Sequence, residues 1–535
     1  GSFGWSTGEV LSVSTSMSTG KSTETYQASA GSYTSATFTA TDDPWDPAYD
    51  AVVLIRGPGP LGPMLEAYEP VLQAATALDA TVLNKVNLIA CPEAPGGRIV
   101  VAPTGPVNRD IDDARRVTEA AERGMARARA AGAANPLLVT GPFPRFPHAL
   151  EVSVLGGLAA CYALIQAPKE KRNATYSFGV WVPQGTDPDL EKAAAMESGR
   201  IVCRDIIQSD PMFMTPAKAA EYVETIFQGS CVEVTTKADY KELEKEYPCL
   251  AAVARGSVQW PPHMPRVVRL QYTGAGPITR SYFWTGKGVC YDTGGLDLKV
   301  GGIMKGMLRD KGGAAAVAGA MYALSKLRPA GVHVTGLLGF VVNDVGPSAF
   351  RPDENVVSRA GLRCHVGNTD AEGRMVMLDL LAQCKELALS QPDPHLFTVA
   401  TLTGHVIRCY GEGYGACIDN GPARRKRFGQ TVQDVGELWA NPFEISMLRR
   451  EDFDFIEPKL EDYDVLQSNP GPTSATQRGH QFPVAFMIRG SGLDHHDIDS
   501  SQPLPYSHFD IAAQANWPKP PTGNPVLCMV QLMLQ

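Results

Sequence analysis

The chain has 535 residues, 44% of them hydrophobic and 20% charged, with a formal net charge of -9. Single cores stop growing at about 250–300 residues, so two or more domains are expected. The acidic balance argues against a nucleic-acid partner, which would call for a basic excess or stripe. No run approaches the roughly 18 apolar residues that span a bilayer, so no membrane partner is expected.

In chain order, residues 1–45 are rich in Ser, Thr and Gly, as in SVSTSMSTGKST at 12–23, and read as a flexible arm. The chain opens at Gly1 without methionine, which leaves a removed upstream segment open. A first, smaller α/β domain is expected over 46–185. Apolar runs at 51–55, 86–90, 98–102 and 136–140 predict strands, and the alanine-rich stretch 110–131, acidic at its start and closed by Gly132, predicts a helix. Gly57-Pro-Gly-Pro-Leu-Gly62 lacks the Lys-Ser/Thr of a phosphate loop and reads as a turn. Asn173-Ala-Thr is a glycosylation sequon by pattern only. Good helix formers over 186–209 predict a linker helix. The remainder, 210–535, reads as a larger C-terminal α/β catalytic domain with a mixed central sheet and strands at 267–272, 281–284, 332–341, 396–400 and 482–487.

Eleven cysteines without a C-x-x-C pair suit reduced thiols in a cytoplasmic setting. They read as core fillers, including Cys290 and Cys364 beside the motifs described next. The basic cluster ARRKRF at 423–428 and the tract DHHDID at 494–499 both read as solvated loops, since adjacent histidines point apart on regular backbone.

Chemistry concentrates between 286 and 374. The strand ending in TGKGVCYD delivers Asp292 at a carboxyl edge, where ligands sit in open α/β sheets. A glycine-rich stretch then carries Lys299 and Asp310. Lys287 has two possible fates beside divalent ions, an exposed ammonium or a neutral amine ligand, and sequence alone favours the first. Asp310, just before the small-residue helix at 314–327, could equally be a residue favoured by the helix macrodipole. In NTDAEGR at 368–374, Asp370 and Glu372 would face one side on extended backbone, a spacing suited to bridging two ions about 3.5–4 Å apart.

With these motifs the chain resembles the leucyl aminopeptidase family of dinuclear metallo-exopeptidases. NTDAEGR is that family's hallmark, the spacing of Lys287, Asp292, Lys299 and Asp310 matches its first motif, and ATLTG at 400–404 matches a third. GVCYDTGGL at 288–296 and VGPSAFRPD at 345–353 look most like the animal branch usually called probable or "like" aminopeptidases. The resemblance is clear over about 210–420, returns at 507–513, and is faint in the first domain.

The resemblance implies one metal site from Lys287 (as a neutral amine), Asp292, Asp310 and Glu372, and a second from Asp292, Asp370 and Glu372. The two divalent ions would be zinc or manganese, with magnesium also accepted by such ligands. Lys299 would polarise the scissile carbonyl, and Arg374 would hold a bicarbonate acting as general base. Met307, Leu402 and Gly404 stand where the family lines its apolar pocket. Peptide substrates and a homo-hexamer follow from the same resemblance.

This chain also departs from the pattern. His405 replaces a small residue after the third motif, MVMLDLL at 375–381 replaces the usual LVLADAL, and 451–490 matches poorly. An alternative is therefore carried beside the metal-dependent aminopeptidase: a catalytically silent structural or binding member of the same fold that assembles as a ring.

Overall fold

The computed structural model describes residues 24–30, 35–172, 174–515 and 518–535, so the sequon residue Asn173 and most of the serine-rich arm lie outside the described residues. The chain divides into two compact units. One holds the chain up to Ser198 together with Glu437–Asn441, and the other holds Gly199–Gly436 with Pro442–Gln535. The helix Leu190–Gln208 runs through the division. Among the described residues no helix is long and apolar enough to cross a membrane.

The first unit is built on a seven-stranded mixed sheet of β1 (Thr25–Ser29), β2 (Ser35–Thr41), β3 (Val52–Arg56), β4 (Asn87–Ala90), β5 (Arg98–Pro103), β6 (Leu137–Thr140) and β7 (Thr175–Trp181), ordered β1-β2-β7-β6-β3-β5-β4. The run Val-Val-Leu-Ile in β3 does not alternate because this strand lies between two parallel neighbours and is covered on both faces. β1 and β2 correct the expectation of an arm reaching residue 45. Tyr26, Phe38 and Phe178 stack across β1, β2 and β7 at 5.2 and 5.5 Å, and that aromatic ladder pairs a segment whose composition alone reads as disordered.

The helix expected over 110–131 starts only at Arg115. Its acidic residues close a turn instead of filling the first helical turn: Arg109 and Arg116 donate to Asp112 at 2.8 Å each, and Arg115 pairs with Asp113.

The second unit carries an eight-stranded mixed sheet, β16-β15-β18-β14-β10-β11-β9-β8. Its strands are β8 (Glu233–Lys237), β9 (Arg266–Thr273), β10 (Arg280–Asp292), β11 (Val332–Asn343), β14 (Pro394–Ala400), β15 (Gly415–Asp419), β16 (Phe443–Met447) and β18 (Tyr506–Asp510). β12 (Asn355–Val357), β13 (Arg363–His365) and β17 (Val465–Leu466) form a small side sheet. β11, β10, β14 and β18 are mutually parallel neighbours, so their carboxyl ends open along one edge. Along that edge lie Asn343, Asp292, the segment after Ala400, and Asp510.

Residues 482–487, expected as a strand, belong instead to the helix Phe482–Gly490. A short run that is apolar on every side cannot be assigned by periodicity, and here Pro483 in the first turn and burial on all faces favour the helix. All eleven cysteines are free. Cys231 and Cys409 are exposed and so are not core fillers; the others are buried. Arg424 to Arg427 are exposed as expected, although Arg424 and Arg425 sit in the short helix Gly421–Arg425 rather than a loop. In the 494–499 tract His495 is exposed, and no three-ligand group forms there among the described residues.

Candidate metal centre

β10 places Lys287 and Asp292 in the sheet edge, and the backbone then turns to carry Lys299 back over it. Asp297 ties that turn to the NTDAEGR loop: Thr369 N donates to Asp297 Oδ2 at 2.7 Å, and Asp297 N donates to Thr369 Oγ1 at 2.8 Å. Within the loop Asn368 Oδ1 accepts from Asp370 N at 2.8 Å, an Asx turn that ends the extended path. Glu372 therefore opens the helix Glu372–Ala388, and Asp370 sits in the turn before it. The expectation that both lie on extended backbone is overturned, yet both carboxylates still reach the centre.

Two lysines divide the carboxylates. Lys287 Nζ is 2.7 Å from Asp310 Oδ1 and 2.8 Å from Glu372 Oε1, and it donates to Thr401 O at 3.2 Å. Lys299 Nζ is 2.9 Å from Asp292 Oδ2 and also pairs with Asp370 Oδ1. Lys287 is only 3% exposed, which corrects the reading of a solvent-exposed ammonium. Asp310 lies two residues before the helix Gly312–Leu327, and its Oδ1 accepts from Lys287 and, at 2.9 Å, from Thr401 Oγ1. It is thus held by the site and not by helix amides. Lys311, its neighbour, takes no part: its Nζ donates to Ser209 O and Leu308 O, and burial lowers it to about 8.

The electrostatics follow from crowding. Burial, then the charge of Asp292, raises Glu372 well above the usual carboxylate range and pushes Asp370 up to about 6. Burial likewise raises Asp310. Burial alone would pull both lysines down, but the surrounding carboxylates outweigh it and hold Lys287 and Lys299 firmly protonated. Four carboxylates face two ammonium groups, so negative charge remains in a buried place.

That excess is what a cation site requires. Asp292, Asp310 and Glu372 each offer an oxygen within 4.8 Å of the others, and Asp310 Oδ2 and Glu372 Oε2 are buried without a hydrogen-bond partner. Hard oxygen donors at one buried point suit divalent ions, so the residues present fit the metals the resemblance implies.

The other expected residues lie on the segments that carry the centre or follow them. Arg374, on the helix Glu372–Ala388, is 1% exposed; its Nη1 donates to Gln467 O at 2.8 Å, its guanidinium lies 5.0 Å over the Phe482 ring, and its Nε is buried without a partner. Burial lowers it to about 9. Met307, half-buried, begins the short turn Met307–Arg309 before Asp310. Leu402 N donates to Asp510 Oδ1 at 3.2 Å, and Gly404 opens the helix Gly404–Tyr410 behind its cap Thr403.

Sequence reasoning missed three supports. Asn343 Nδ2 donates to Asp292 Oδ1 at 2.8 Å and to Thr369 O at 3.1 Å; its only signal is a polar residue ending an apolar strand. Thr401 serves Lys287 and Asp310 from inside the third motif. Gln467 accepts from Gly367 N and Asn368 N and donates to Asn368 O and Ala371 O, buttressing the whole loop from a stretch that matches the family poorly.

A model of the cytosol aminopeptidase family's catalytic domain matches residues 201–530, more than half the chain and all of this centre. The chain belongs to the cytosol aminopeptidase family. A Caenorhabditis elegans protein named "Putative aminopeptidase W07G4.4" is 39% identical over 497 residues, covering 91% of this chain and 95% of its own. A "Probable cytosol aminopeptidase" from Chelativorans sp. is 31% identical over 339 residues, covering 62% of each chain. Among solved structures, a leucyl aminopeptidase from Trypanosoma cruzi superimposes with a TM-score of 0.76 at 20% identity, over 91% of this chain and 93% of that one. The bottromycin maturation enzyme BotP, in complex with manganese, gives 0.72 at 22% identity, over 91% of this chain and 99% of its own. At such identities these two show the shared two-domain α/β fold. Cytosol aminopeptidases are metal-dependent peptidases, and this chain is one by family.

Proposed function

We propose that this family member releases N-terminal residues, preferably apolar ones, from peptides at a dinuclear centre. Lys287, an ammonium while Asp310 and Glu372 hold it, would give up its proton once a cation takes over those carboxylates. As a neutral amine it would hold one ion with Asp292, Asp310 and Glu372, and Asp292, Asp370 and Glu372 would hold the other. The observation that carries this reading is the buried excess of carboxylate, with partnerless oxygens on Asp310 and Glu372. Zinc or manganese there would supply Lewis acidity and an activated water.

The chain's own residues would do the rest. Lys299, held protonated between Asp292 and Asp370, would meet the charge that develops on the scissile carbonyl oxygen. Arg374, with a buried unpartnered Nε, would hold a small anion such as bicarbonate and so position a general base. Met307, Leu402 and Gly404 would border an apolar pocket for the first side chain, and Asp310 would meet the free amine that marks a peptide's N-terminus. No member of the ligand set is replaced, which favours this reading over a silent structural one.

The test is an assay on aminoacyl amides with manganese or zinc, with and without chelator. Wild type is expected to cleave, and chelation to abolish cleavage. Lys299→Ala should keep its metal yet lose about 10²–10³ in kcat. Asp370→Ala should lose metal as well. Ions bound at full occupancy with no activity in wild type would sink the enzymatic reading.

A further inference from the structure

Apart from the carboxylate centre, three metal-ligating side chains meet at the helix Gly404–Tyr410. His405 and Cys409 are four residues apart on it and so share a face. His480 reaches them from just before the helix Phe482–Gly490. Ligand atoms of all three lie within 4.8 Å of one another. His405 Nδ1 and His480 Nδ1 are 2.7 Å apart, and Cys409 Sγ is 3.5 Å from His405 Nδ1.

Tetrahedral zinc has bonds of about 2.0–2.1 Å to nitrogen and about 2.3 Å to sulfur, which spaces a nitrogen and a sulfur about 3.6 Å apart and two nitrogens about 3.3 Å apart. The sulfur–nitrogen spacing already has that value. The two nitrogens are closer, at a separation where one ring's N–H donates to the other nitrogen, and His405, half-buried, is the ring that would turn to exchange that proton for an ion. His480 is fixed from behind: its Nε2 lies 2.8 Å from Ser446 Oγ, which also accepts from Gln481 Nε2 at 3.0 Å. An outer partner on one ring nitrogen that leaves the other for an ion is the usual support of a ligating histidine. Burial lowers the pKa of both rings, helped at His405 by Arg408 and Arg478 and at His480 by His405 and Arg478. Cys409 is exposed and gives an entry path from solvent.

We propose that His405, Cys409 and His480 form a further cation site, separate in chemistry from the carboxylate centre, which takes one zinc-class ion on two imidazoles and a thiolate and leaves a fourth position for water. Soft and borderline donors select differently from a carboxylate set. The ion would clip the helix Gly404–Tyr410 to the segment ending at His480.

Cobalt(II) is the discriminating probe, because thiolate-to-cobalt charge transfer absorbs in the near ultraviolet and the carboxylate centre has no sulfur to produce it. Reduced, metal-free full-length protein titrated with cobalt should develop this band to about one sulfur-bound ion per chain. Cys409→Ser should abolish it. His405→Ala and His480→Ala should weaken cobalt binding by about 10- to 100-fold or more. Cys231→Ser, which removes the other exposed thiol, and Asp370→Asn, in the carboxylate centre, should both keep the band, so its fate is independent of peptidase activity. The His480 variant replaces a buried ring and is read beside a melting curve; the exposed Cys409 decides the question. A wild type without the band, or a band undiminished in Cys409→Ser, overturns the proposal.

Discussion

The side chain of Lys287 occupies the space that a side chain on Gly373 would need: a Cβ at 373 would stand 2.6 Å from Lys287 Cε and 2.7 Å from its Nζ. The glycine of NTDAEGR is thus the floor on which the buried lysine rests. Gly373→Ala should push Nζ away from Asp310 and Glu372 while leaving the helix Glu372–Ala388 formed, since alanine is the better helix former. Metal affinity and kcat/KM are expected to fall about 10- to 100-fold. The melting temperature should move by no more than about 2–4 °C, the most that roughly 1 kcal/mol shifts a unit of this size. Metal titration beside calorimetry reads both, and wild-type metal affinity in the variant would refute the packing argument.

Asn343 supports the centre without being one of its expected ligands. It is fully buried, and its amide restrains Asp292 and the backbone of Thr369 together. Asn343→Ala leaves Asp292 Oδ1 with the amide of Gly294 and lets the carboxylate swing. Activity at limiting metal should drop about 10- to 100-fold, with about 1–3 kcal/mol lost from stability for the broken hydrogen bonds. Raising the metal concentration should recover part of the activity. No recovery would mean that Asn343 acts on something other than Asp292.

How far the sequence foretold this centre depends on whether the signal was local. Lys287, Asp292, Lys299, Asp310, Asp370 and Glu372 were readable because glycine-flanked motifs carry them, and the carboxyl edge of β10 was readable from an apolar strand that ends in aspartate. Lys287 could not be placed on a buried path, because whether a lysine is covered depends on Gly373 and Thr401, far along the chain. Asn343 and Gln467 stayed invisible for the same reason: each bonds a loop more than twenty residues away, and nothing in their own neighbourhood marks it. The helix at Phe482–Gly490 was misread as a strand because complete burial erases periodicity.

Asp379 provides a pH prediction away from the metal ligands. It is fully buried and accepts from Cys249 N and Arg359 N at 2.7 Å each, yet burial outweighs those bonds and pushes it up to about 6. A carboxyl whose folded pKa lies above its unfolded value weighs against the folded state once it ionises. Its contribution is therefore most favourable below about pH 4 and declines as pH rises to about 6. Asp379→Asn keeps an acceptor for one of the two amides and removes the titration. The stability difference between wild type and Asp379→Asn, from urea midpoints, should change across pH 4–6 and be flat above it. A difference constant throughout would show that Asp379 ionises normally.

Gly313 tests the packing that brings helix and strand together beneath the site. A Cβ there would lie 1.9 Å from Val399 O and 2.8 Å from Lys287 N. Both are backbone atoms, of β14 and β10 respectively, and neither can yield without moving a parallel strand. Gly313→Ala should cost about 3 kcal/mol or more, at the upper end for overpacking, and should lower activity as well because Lys287 moves with its backbone. Gly301→Ala is the matched control. Gly301 has φ 71° and open space around it, so alanine there pays only for its left-handed backbone, about 1–2 kcal/mol. Urea unfolding of the two variants should separate them by at least 1 kcal/mol, with Gly313→Ala the weaker. Equal midpoints would mean that the helix Gly312–Leu327 can withdraw from the sheet without loss, and the close approach of Gly313 to β10 and β14 would then not be what seats Lys287.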